Sequence, residues 1–376
     1  MKKMNILALF GGRSQEHEVS VVSTSHVIEE LKKDKRYNVI CVGVTREGKW
    51  LTGKNVVEGF KKNTYKGLTP ALLSTDATRE LIVFEGKNKI KRKKIDVAFA
   101  WILGPTGEDG TLQGLFEIAD IPYVGCNVFA SAAGFDKAKT KAVMAAAGIP
   151  QVPHLAFNKD DWKRDAKKIA SDIEKKLGFP CFVKPSSCGS SIGISKVKVR
   201  AKLATAIKEA LKYDRNLVVE KGVQNLRELE CAVLGTLDNL TVSLPGEVHY
   251  EGEFYDYHAK YVSEYWEIDI PPKMPKNKWE EIRTLARRVF NAIDGSGLAR
   301  IDFLMDGKTG KLYFNELNTI PSFRRESCFA TLMKKVNISY KQIIDRLISS
   351  AIIEHKRRQE KQLTTELGAK WMKQQK

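Results

Sequence analysis

Residues 181–197, CFVKPSSCGSSIGISKV, are the most informative stretch of the chain. They predict two short strands, at 181–184 and 194–197, joined by the loop PSSCGSSIG. Small residues let backbone N–H groups approach a polyphosphate closely, and the serine hydroxyls add further donors. Lys184 ends the first strand and can reach the same phosphates. A plain flexible hairpin loop would have a similar composition, so this motif alone is only moderately specific.

A second pair of predicted strands carries carboxylate and amide side chains. Residues 299–303 read ARIDF and residues 313–318 read YFNELN. Strand alternation places Arg300 and Asp302 on one face of the first strand, and Glu316 and Asn318 on one face of the second. Carboxylate and amide oxygens are the ligands that Mg²⁺ takes together with nucleotide phosphates. A solvated sheet face is the alternative, but the apolar surroundings favour a metal site.

The N-terminal part alternates predicted strands, at 4–10, 38–44, 81–84 and 96–102, with a helix near 21–33. This pattern is typical of an open parallel sheet. The basic run 87–94, KNKIKRKK, reads as a hairpin or an edge connection. After the first strand comes GGRSQEHEVS, which places Glu16 where open α/β sheets bind ligands, and a carboxylate there can hold a substrate ammonium.

The sequence from residue 107 onward predicts several helices and one further strand. A tight acidic turn, GEDG at 107–110, precedes a helix, and an alanine-rich helical stretch at 130–147 stops at Gly148-Ile149-Pro150. Further helices are predicted at 160–177 and 201–212, with a strand at 217–220. A last helix runs from about Tyr340 to Ile353, and the charged residues that follow are a helical extension or disordered.

Length and composition limit the class of protein. A chain of 376 residues with 43% hydrophobic content predicts two or three domains. Much of the formal net charge of +18 lies in the run 87–94 and in the tail from Lys356. Neither stretch has the interleaved aromatics that stack on bases, so solvated basic faces are favoured over nucleic-acid binding. Six cysteines without CxxC spacing, and no apolar run long enough for a membrane span, predict a cytoplasmic protein without a membrane partner.

Taken in order, these motifs resemble the D-alanine–D-alanine ligase family from about Asn5 to Ile353. The resemblance rests on GGRSQEHEVS, GEDGTLQG, PYVG, FVKPSSCGSSIGISK, FYDYHAKY, ARIDF and FNELNTIP. It implies an ATP-grasp fold of the α/β and α+β classes with an N-terminal Rossmann-like domain. The implied units are an N-terminal domain at 1–136, a central lid domain at 137–228, a C-terminal domain at 229–355 and a basic tail at 356–376.

The resemblance implies a nucleotide site and a metal site. The residues that would contact ATP are Lys137, Lys184, Ser190, Ser191, Glu220 and Glu228. Two Mg²⁺ ions would be bound by Asp302, Glu316 and Asn318, and Mn²⁺ would serve in their place. The other implied partners are D-amino acids and a second copy of the chain in a homodimer.

Catalytic roles also follow from the resemblance. Glu16 would hold the ammonium of the first D-alanine, and Ser190 and Tyr261 would complete a hydrogen-bonded trio with it. Lys260 would close over the γ-phosphate. Arg300 would lie at the oxygens of an acyl phosphate and of the tetrahedral intermediate.

The acceptor side, where Ser327 would hold the carboxylate of the second D-alanine, departs from the family pattern. A glycine whose N–H helps to form an oxyanion hole is replaced by serine, which is tolerated only where φ is negative. The departures are Leu103 for a histidine, Ser322 for that glycine, Arg324 and Arg325 in the segment that follows, and His258 for a glutamate.

Four interpretations remain open at this point. The first is formation of D-alanyl-D-alanine for peptidoglycan precursors, and the second is a D-alanine–D-X ligase whose second substrate has a polar or acidic side chain paired to Arg324 or Arg325. The third is a nucleotide-binding pseudoenzyme whose pocket Leu103 and Ser322 disable. The fourth is a basic nucleic-acid-binding protein, against which the complete set of ATP-grasp motifs argues.

Overall fold

Three β-sheets organise the chain in the computed structural model, which describes residues 3–86, 89–250 and 266–360. The sheets follow one another along the sequence. Each is covered by helices that bury its apolar face. The clefts between the sheets are where the side chains singled out above meet.

The first sheet has seven strands in the order β6-β5-β4-β3-β2-β1-β7. Its strands are β1 Met4–Gly11, β2 Tyr37–Val44, β3 Trp50–Thr52, β4 Thr69–Leu73, β5 Glu80–Gly86, β6 Lys89–Lys94 and β7 Val97–Ala100. Only β2, β1 and β7 are parallel, and the rest are antiparallel. The prediction of an open parallel sheet is therefore wrong for the strands after β2. The connections at 45–49 and 74–79 are too short for the crossover that parallel pairing needs.

Residues 89–94 of the basic run form the edge strand β6, as predicted for an edge connection. Two of its cations are paired with carboxylates of the neighbouring strand β5. Lys89 Nζ lies 3.1 Å from Glu85, and Arg92 Nη1 lies 2.9 Å from Glu80.

The second sheet is antiparallel, in the order β10-β9-β11-β8. Its strands are β8 His154–Asn158, β9 Cys181–Pro185, β10 Ser195–Val197 and β11 Asn216–Lys221. The chain enters this sheet through β8 and leaves it through the adjacent β11, where Glu220 is opposite His154. The glycine-rich loop connects β9 to β10, which confirms the predicted strand–loop–strand unit.

The third sheet has the order β15-β14-β12-β16-β17, with β13 paired to β12. Its strands are β12 Leu226–Thr236, β13 Asn239–Val242, β14 Gly246–Tyr250, β15 Trp266–Asp269, β16 Gly297–Asp306 and β17 Leu312–Asn318. The pairing of β16 with β17 is antiparallel and contains an irregularity after Asp302. This pairing confirms that the two acidic segments lie on adjacent strands.

The helices cover the sheets and join them. They are α1 His17–Lys33, α2 Val56–Lys61, α3 Thr111–Ile118, α4 Val128–Phe135, α5 Lys137–Ala146, α6 Lys159–Lys176, α7 Leu203–Ala210, α8 Lys276–Ala292, α9 Cys328–Lys334 and α10 Tyr340–Gln359. One hydrophobic core contains Phe99 of β7, Leu298 of β16 and Leu347 of α10. Helix α10 therefore packs between the first sheet and the third. A separate core holds the second sheet to α6 and α7.

One helix prediction needs correction, and one alternative is confirmed. The stretch 130–147 is two helices, because Asp136 has an extended backbone and its side chain accepts a hydrogen bond from the Lys139 N–H at the start of α5. The last helix continues beyond Ile353 to Gln359, which confirms the predicted helical extension for these residues, and Arg358 Nε lies 3.2 Å from Glu117. Within the described ranges, no helix is both long and apolar enough to cross a membrane.

Candidate active site

A cleft between the second and third sheets brings most of the singled-out residues together. Its walls come from β9 and β11 on one side and from β12, β16 and β17 on the other. The lining residues are Phe182, Lys184, Ser191, Ile194, Glu220, Lys221, Val223, Leu226, Glu228, Leu229, Glu230, Asp302, Phe303, Leu304, Asn315 and Glu316. A smaller cavity shares Ser191, Ile194 and Glu316 with this cleft and adds Glu108, Lys137, Ser190 and Asn318. The two cavities therefore form a continuous candidate site.

Two lysines share one buried carboxylate at the cleft wall. Lys184 Nζ lies 2.6 Å from Glu220 Oε2, and Lys141 Nζ lies 2.7 Å from Glu220 Oε1. All three side chains are buried, Lys141 with only 1% of its surface exposed. Burial alone would raise the pKa of the Glu220 carboxyl, but Lys141 and Lys184 together lower it below its usual range. The carboxylate is charged, and it holds Lys184 at the cleft.

Lys141 is a functional candidate that sequence reasoning missed. It follows Lys137 by four residues on α5, so both lysines lie on one side of the helix. Lys137 Nζ donates a hydrogen bond of 2.7 Å to the Cys188 carbonyl and lies 3.5 Å from Glu316 Oε2. The i, i+4 spacing was the available signal for a second buried cation.

The acidic positions of the third sheet face one another across two strands. Asp302 is paired with Glu316, and Arg300 with Asn318, in the β16–β17 register. Arg300 donates two hydrogen bonds to Asp302, of 2.8 and 2.7 Å, and Asn318 Nδ2 donates one of 3.1 Å to the same carboxylate. The structure therefore brings the three predicted metal ligands and Arg300 into one cluster.

The donor set of this cluster fits a hard cation. Asp302, Glu316 and Asn318 offer carboxylate and amide oxygens, which suit Mg²⁺ or Mn²⁺ better than a soft metal. In the part of the chain that the structure describes, no group of three His, Cys, Asp or Glu side chains is arranged to hold a metal, so the amide of Asn318 is needed as the third donor. The Asp302 carboxylate is shared with Arg300, so a cation there would compete with this ion pair.

The glycine-rich loop is joined to the first sheet through Glu16. Ser190 Oγ donates a short hydrogen bond to Glu16 Oε1, and Glu16 itself is buried at the start of α1. The Ser187 N–H donates a 2.8 Å hydrogen bond to Asp214, which anchors the other end of the loop. Two of the three residues of the implied Glu16–Ser190–Tyr261 trio are thus in contact.

Glu108 is a second carboxyl group beside Glu16, within the acidic turn noted in the sequence. It is buried and accepts a 3.0 Å hydrogen bond from the Gly104 N–H. Burial, and then the neighbouring Glu16, raise the pKa of the Glu108 carboxyl well above its usual range. Its neighbour Asp109 accepts a 3.0 Å hydrogen bond from the Thr111 N–H at the start of α3.

Replacement of Glu108 by glutamine is expected to stabilise the substrate-free protein more at pH 8 than at pH 5. Because the pKa is raised in the folded state, the folded protein favours the protonated carboxyl, and its stability falls as pH rises towards that pKa. Glutamine removes this cost, so Tm should rise by about 2–4 °C at pH 8. Thermal melts at the two pH values measure the difference, and an equal effect at both would contradict the raised pKa.

The acceptor side is the least regular part of the site. Ser327 is buried and its Oγ accepts a hydrogen bond from the Ala330 N–H at the start of α9. Ser322 does not have a positive φ, which meets the condition for serine in place of glycine. Its Oγ is buried and lacks a hydrogen-bond partner among the described residues. Leu103 is buried in the core that joins the first and third sheets.

The suggested role of Arg325 at the second substrate is wrong. Arg325 Nη1 lies 2.9 Å from Glu30 of α1, and its guanidinium lies over the Tyr340 ring at 5.2 Å from the ring centroid. These contacts hold the side chain between α1 and α10. Of the two arginines, only Arg324 stays a candidate for a substrate contact.

Three implied residues lie outside the described residues. They are His258, Lys260 and Tyr261, in the segment 251–265. Glu228, implied at the ribose, lines the cleft and accepts a 2.7 Å hydrogen bond from the Tyr250 hydroxyl.

A Rossmann-like sheet followed by two sheets that enclose a lysine-lined, acidic cleft defines an ATP-grasp ligase. The family models for the N-terminus and the C-terminus of D-ala D-ala ligase match residues 5–126 and 143–349. The chain therefore belongs to the D-alanine–D-alanine ligase family.

Individual relatives agree with this assignment. A D-alanine–D-alanine ligase of Heliobacterium modesticaldum is 41% identical, over 96% of this chain and 97% of that protein. The one from Caldicellulosiruptor bescii is 43% identical, over 96% and 98%. Among solved structures, the VanG D-Ala:D-Ser ligase of Enterococcus faecalis matches with a TM-score of 0.82 at 32% identity, over 93% of this chain and all of that one. The D-alanine–D-alanine ligase of Coxiella burnetii matches with a TM-score of 0.81 at 30% identity, over 96% and 97%.

Proposed function

We propose that this protein joins two D-alanine molecules at the expense of ATP, through a D-alanyl phosphate. A carboxylate oxygen of the first D-alanine attacks the γ-phosphorus of ATP, and ADP leaves. The neutral amine of the second D-alanine then attacks the acyl carbon, and phosphate leaves. The observation that carries the proposal is the meeting, in one cleft, of Lys184, Asp302 and Glu316 with Ser191 of the loop 185–193. Arg300 is held beside this cleft by its two hydrogen bonds to Asp302.

The nucleotide end of the cleft depends on lysines held in place by carboxylates. Lys184 is fixed by Glu220, and Lys137 is fixed by the Cys188 carbonyl and Glu316. Their ammonium groups would neutralise the charge of the phosphates. Mg²⁺ bound by Asp302, Glu316 and Asn318 would neutralise the charge that develops on the transferred phosphoryl group.

The amino-acid end of the cleft depends on Glu16 and Arg300. The buried Glu16 carboxylate would hold the ammonium of the first D-alanine, with Ser190 fixing its position. Burial alone would lower the pKa of the Arg300 guanidinium, but Asp302 and Glu230 raise it, so this group is always charged at the reacting oxygens. The glycine-rich loop covers this end, and a covered site limits hydrolysis of the acyl phosphate.

A D-alanine–D-X ligase whose acceptor has a polar side chain is the second candidate. The buried Ser322 hydroxyl without a described partner favours it, because such a group is costly unless a ligand or water satisfies it. A solved relative is named a D-Ala:D-Ser ligase, which supports the same alternative.

The proposal is tested by measuring ADP release from the purified protein with D-alanine alone and with a panel of D-amino acids paired with D-alanine. D-alanine alone should support saturable turnover that stops when Mg²⁺ is chelated. Turnover with another pair but none with D-alanine alone would replace the first candidate by the second. ADP binding without turnover on any amino acid would identify a pseudoenzyme.

The wider setting of the reaction also belongs to the proposal. We expect a cytoplasmic homodimer that supplies the dipeptide for peptidoglycan precursors, with the domain limits 1–136, 137–228 and 229–355. All six cysteines are free thiols, which supports a reducing compartment.

A further inference from the structure

We propose that Glu230 is a positioning residue that fixes Arg300 for the reaction, and that the thiol of Cys328 orients Glu230 from the acceptor side. The inference rests on the proposed function, in which Arg300 lies at the reacting oxygens. It adds two residues that none of the sequence motifs singled out.

Glu230 and Asp302 bracket the guanidinium of Arg300 from two strands. Glu230 of β12 is directly opposite Asp302 of β16 in the antiparallel register. Arg300 Nε lies 3.2 Å from Glu230 Oε2, and the same side chain makes its two hydrogen bonds to Asp302. Glu230 has only 4% of its surface exposed, and a buried carboxylate requires this kind of compensation.

The carboxylates of Asp302 and Glu230 differ in whether they would also bind a metal ion. Asp302 is also an implied metal ligand, so a bound cation would draw part of its charge away from Arg300. Glu230 is outside the set of metal ligands, so a bound cation would leave its contact with the guanidinium unshared. A catalytic group misplaced by about 1 Å can lose about 100-fold in rate. Glu230 therefore keeps Arg300 in place when Asp302 is shared.

Cys328 supplies the hydrogen bond that orients Glu230. Its Sγ lies 2.6 Å from Glu230 Oε2. Burial, and then Glu230, raise the pKa of the Cys328 thiol well above its usual range, so the thiol keeps its proton and donates to the carboxylate.

Cys328 lies between the proposed acceptor site and the Glu230–Arg300 pair. It directly follows Ser327, which would hold the acceptor carboxylate, and it is the first residue of α9. A displacement of this turn by a poorly seated acceptor would thus reach Arg300 through Cys328 and Glu230. The contacts couple acceptor seating to the geometry at the reacting oxygens.

The first experiment compares Glu230→Gln with Glu247→Gln. Glu247 is a buried carboxylate of β14 that pairs with Arg227 at 2.5 Å, outside the residues that line the cleft, so its substitution reports the cost of breaking a similar ion pair on the same sheet. We expect Glu230→Gln to lower kcat by about 10- to 100-fold while the KM for ATP changes less than about threefold. Glu247→Gln should leave kcat within about twofold of the wild type. Equal kcat values for the two variants would overturn the proposal.

The second experiment keeps the test decisive if Glu230→Gln folds poorly. Cys328→Ala, which removes the donor, should lower kcat by about 3- to 10-fold and raise the KM for the acceptor D-alanine, whereas Cys328→Ser retains a donor and should recover most of kcat. Cys126→Ser is the matched control, because Cys126 is a buried thiol whose nearest partner is the Leu298 carbonyl, away from the cleft. Equal kcat for the alanine and serine variants would show that the thiol only fills space.

Failure of the inference is distinguishable from failure of the proposed function. If the wild type makes no dipeptide from any D-amino-acid pair, the proposed function fails, and the positioning role that rests on it fails with it. If the wild type is active and neither Glu230→Gln nor Cys328→Ala changes kcat beyond its control, the proposed function stands and the positioning role is refuted.

Discussion

Glu316→Ala is expected to lower ATP turnover by about 1,000-fold or more. Glu316 is opposite Asp302 in the sheet, lines both cavities of the site and lies 3.5 Å from Lys137. Its removal takes away an implied metal ligand and leaves Lys137 without its carboxylate. Loss of one preorganised charge at a transferring phosphoryl group commonly costs about 100- to 1,000-fold, and loss of metal binding adds to this.

ADP release at saturating ATP and D-alanine measures the effect of this substitution. Glu267→Ala is the matched control, because Glu267 is an exposed glutamate of β15 in the same sheet and does not line the cleft. Near-normal turnover by a well-folded Glu316→Ala protein would show that the metal site is misplaced.

Lys184→Met is expected to lower kcat/KM for ATP, whereas Lys141→Met is expected to lower stability, although both lysines bind Glu220. Without Lys184, Glu220 keeps Lys141 as its partner, so the fold should persist while kcat/KM for ATP falls by about 100- to 1,000-fold. Lys141 is the more deeply buried cation and has no access to the cleft surface described by the lining residues. Its loss also leaves Glu220 with one lysine, but it removes the pair that is better shielded from water, so we expect a larger destabilisation, of about 3 kcal/mol.

Denaturant titration and ATP kinetics on both variants separate these effects. Lys184→Met should unfold near the wild-type midpoint, and Lys141→Met should unfold earlier. If Lys141→Met is as stable as the wild type but fails to use ATP, Lys141 would be a nucleotide ligand rather than a structural counter-ion.

The parts of the site that consist of short continuous motifs could be predicted from the sequence. The loop between β9 and β10 and the acidic faces of β16 and β17 follow from local composition and strand alternation, and both are present in the fold. Asp136 is also a recognisable signal for a helix start, because aspartate is a common N-cap residue. The alanine-rich composition around it nevertheless favours one continuous helix.

Other features depend on pairings between distant segments and could not be read from one sequence. The contact of Cys328 with Glu230 spans 98 positions and arises from the placement of α9 against β12. The ion pair of Arg325 with Glu30 spans 295 positions, so an arginine next to the acceptor motif appeared to face the substrate. Register and burial decide such contacts, and neither is visible in local patterns.

The neighbouring positions of β8 and β11 have a consequence for how such ligases diversify. Glu220 is opposite His154, and the Lys221 N–H donates to the Pro153 carbonyl, so the second sheet begins and ends at one place in space. A segment with adjoining ends can be exchanged by recombination without stretching the scaffold that receives it. The second sheet can in this respect be exchanged as one unit. Chimaeras that swap it between relatives would leave the Arg300–Glu230 contact within the recipient chain.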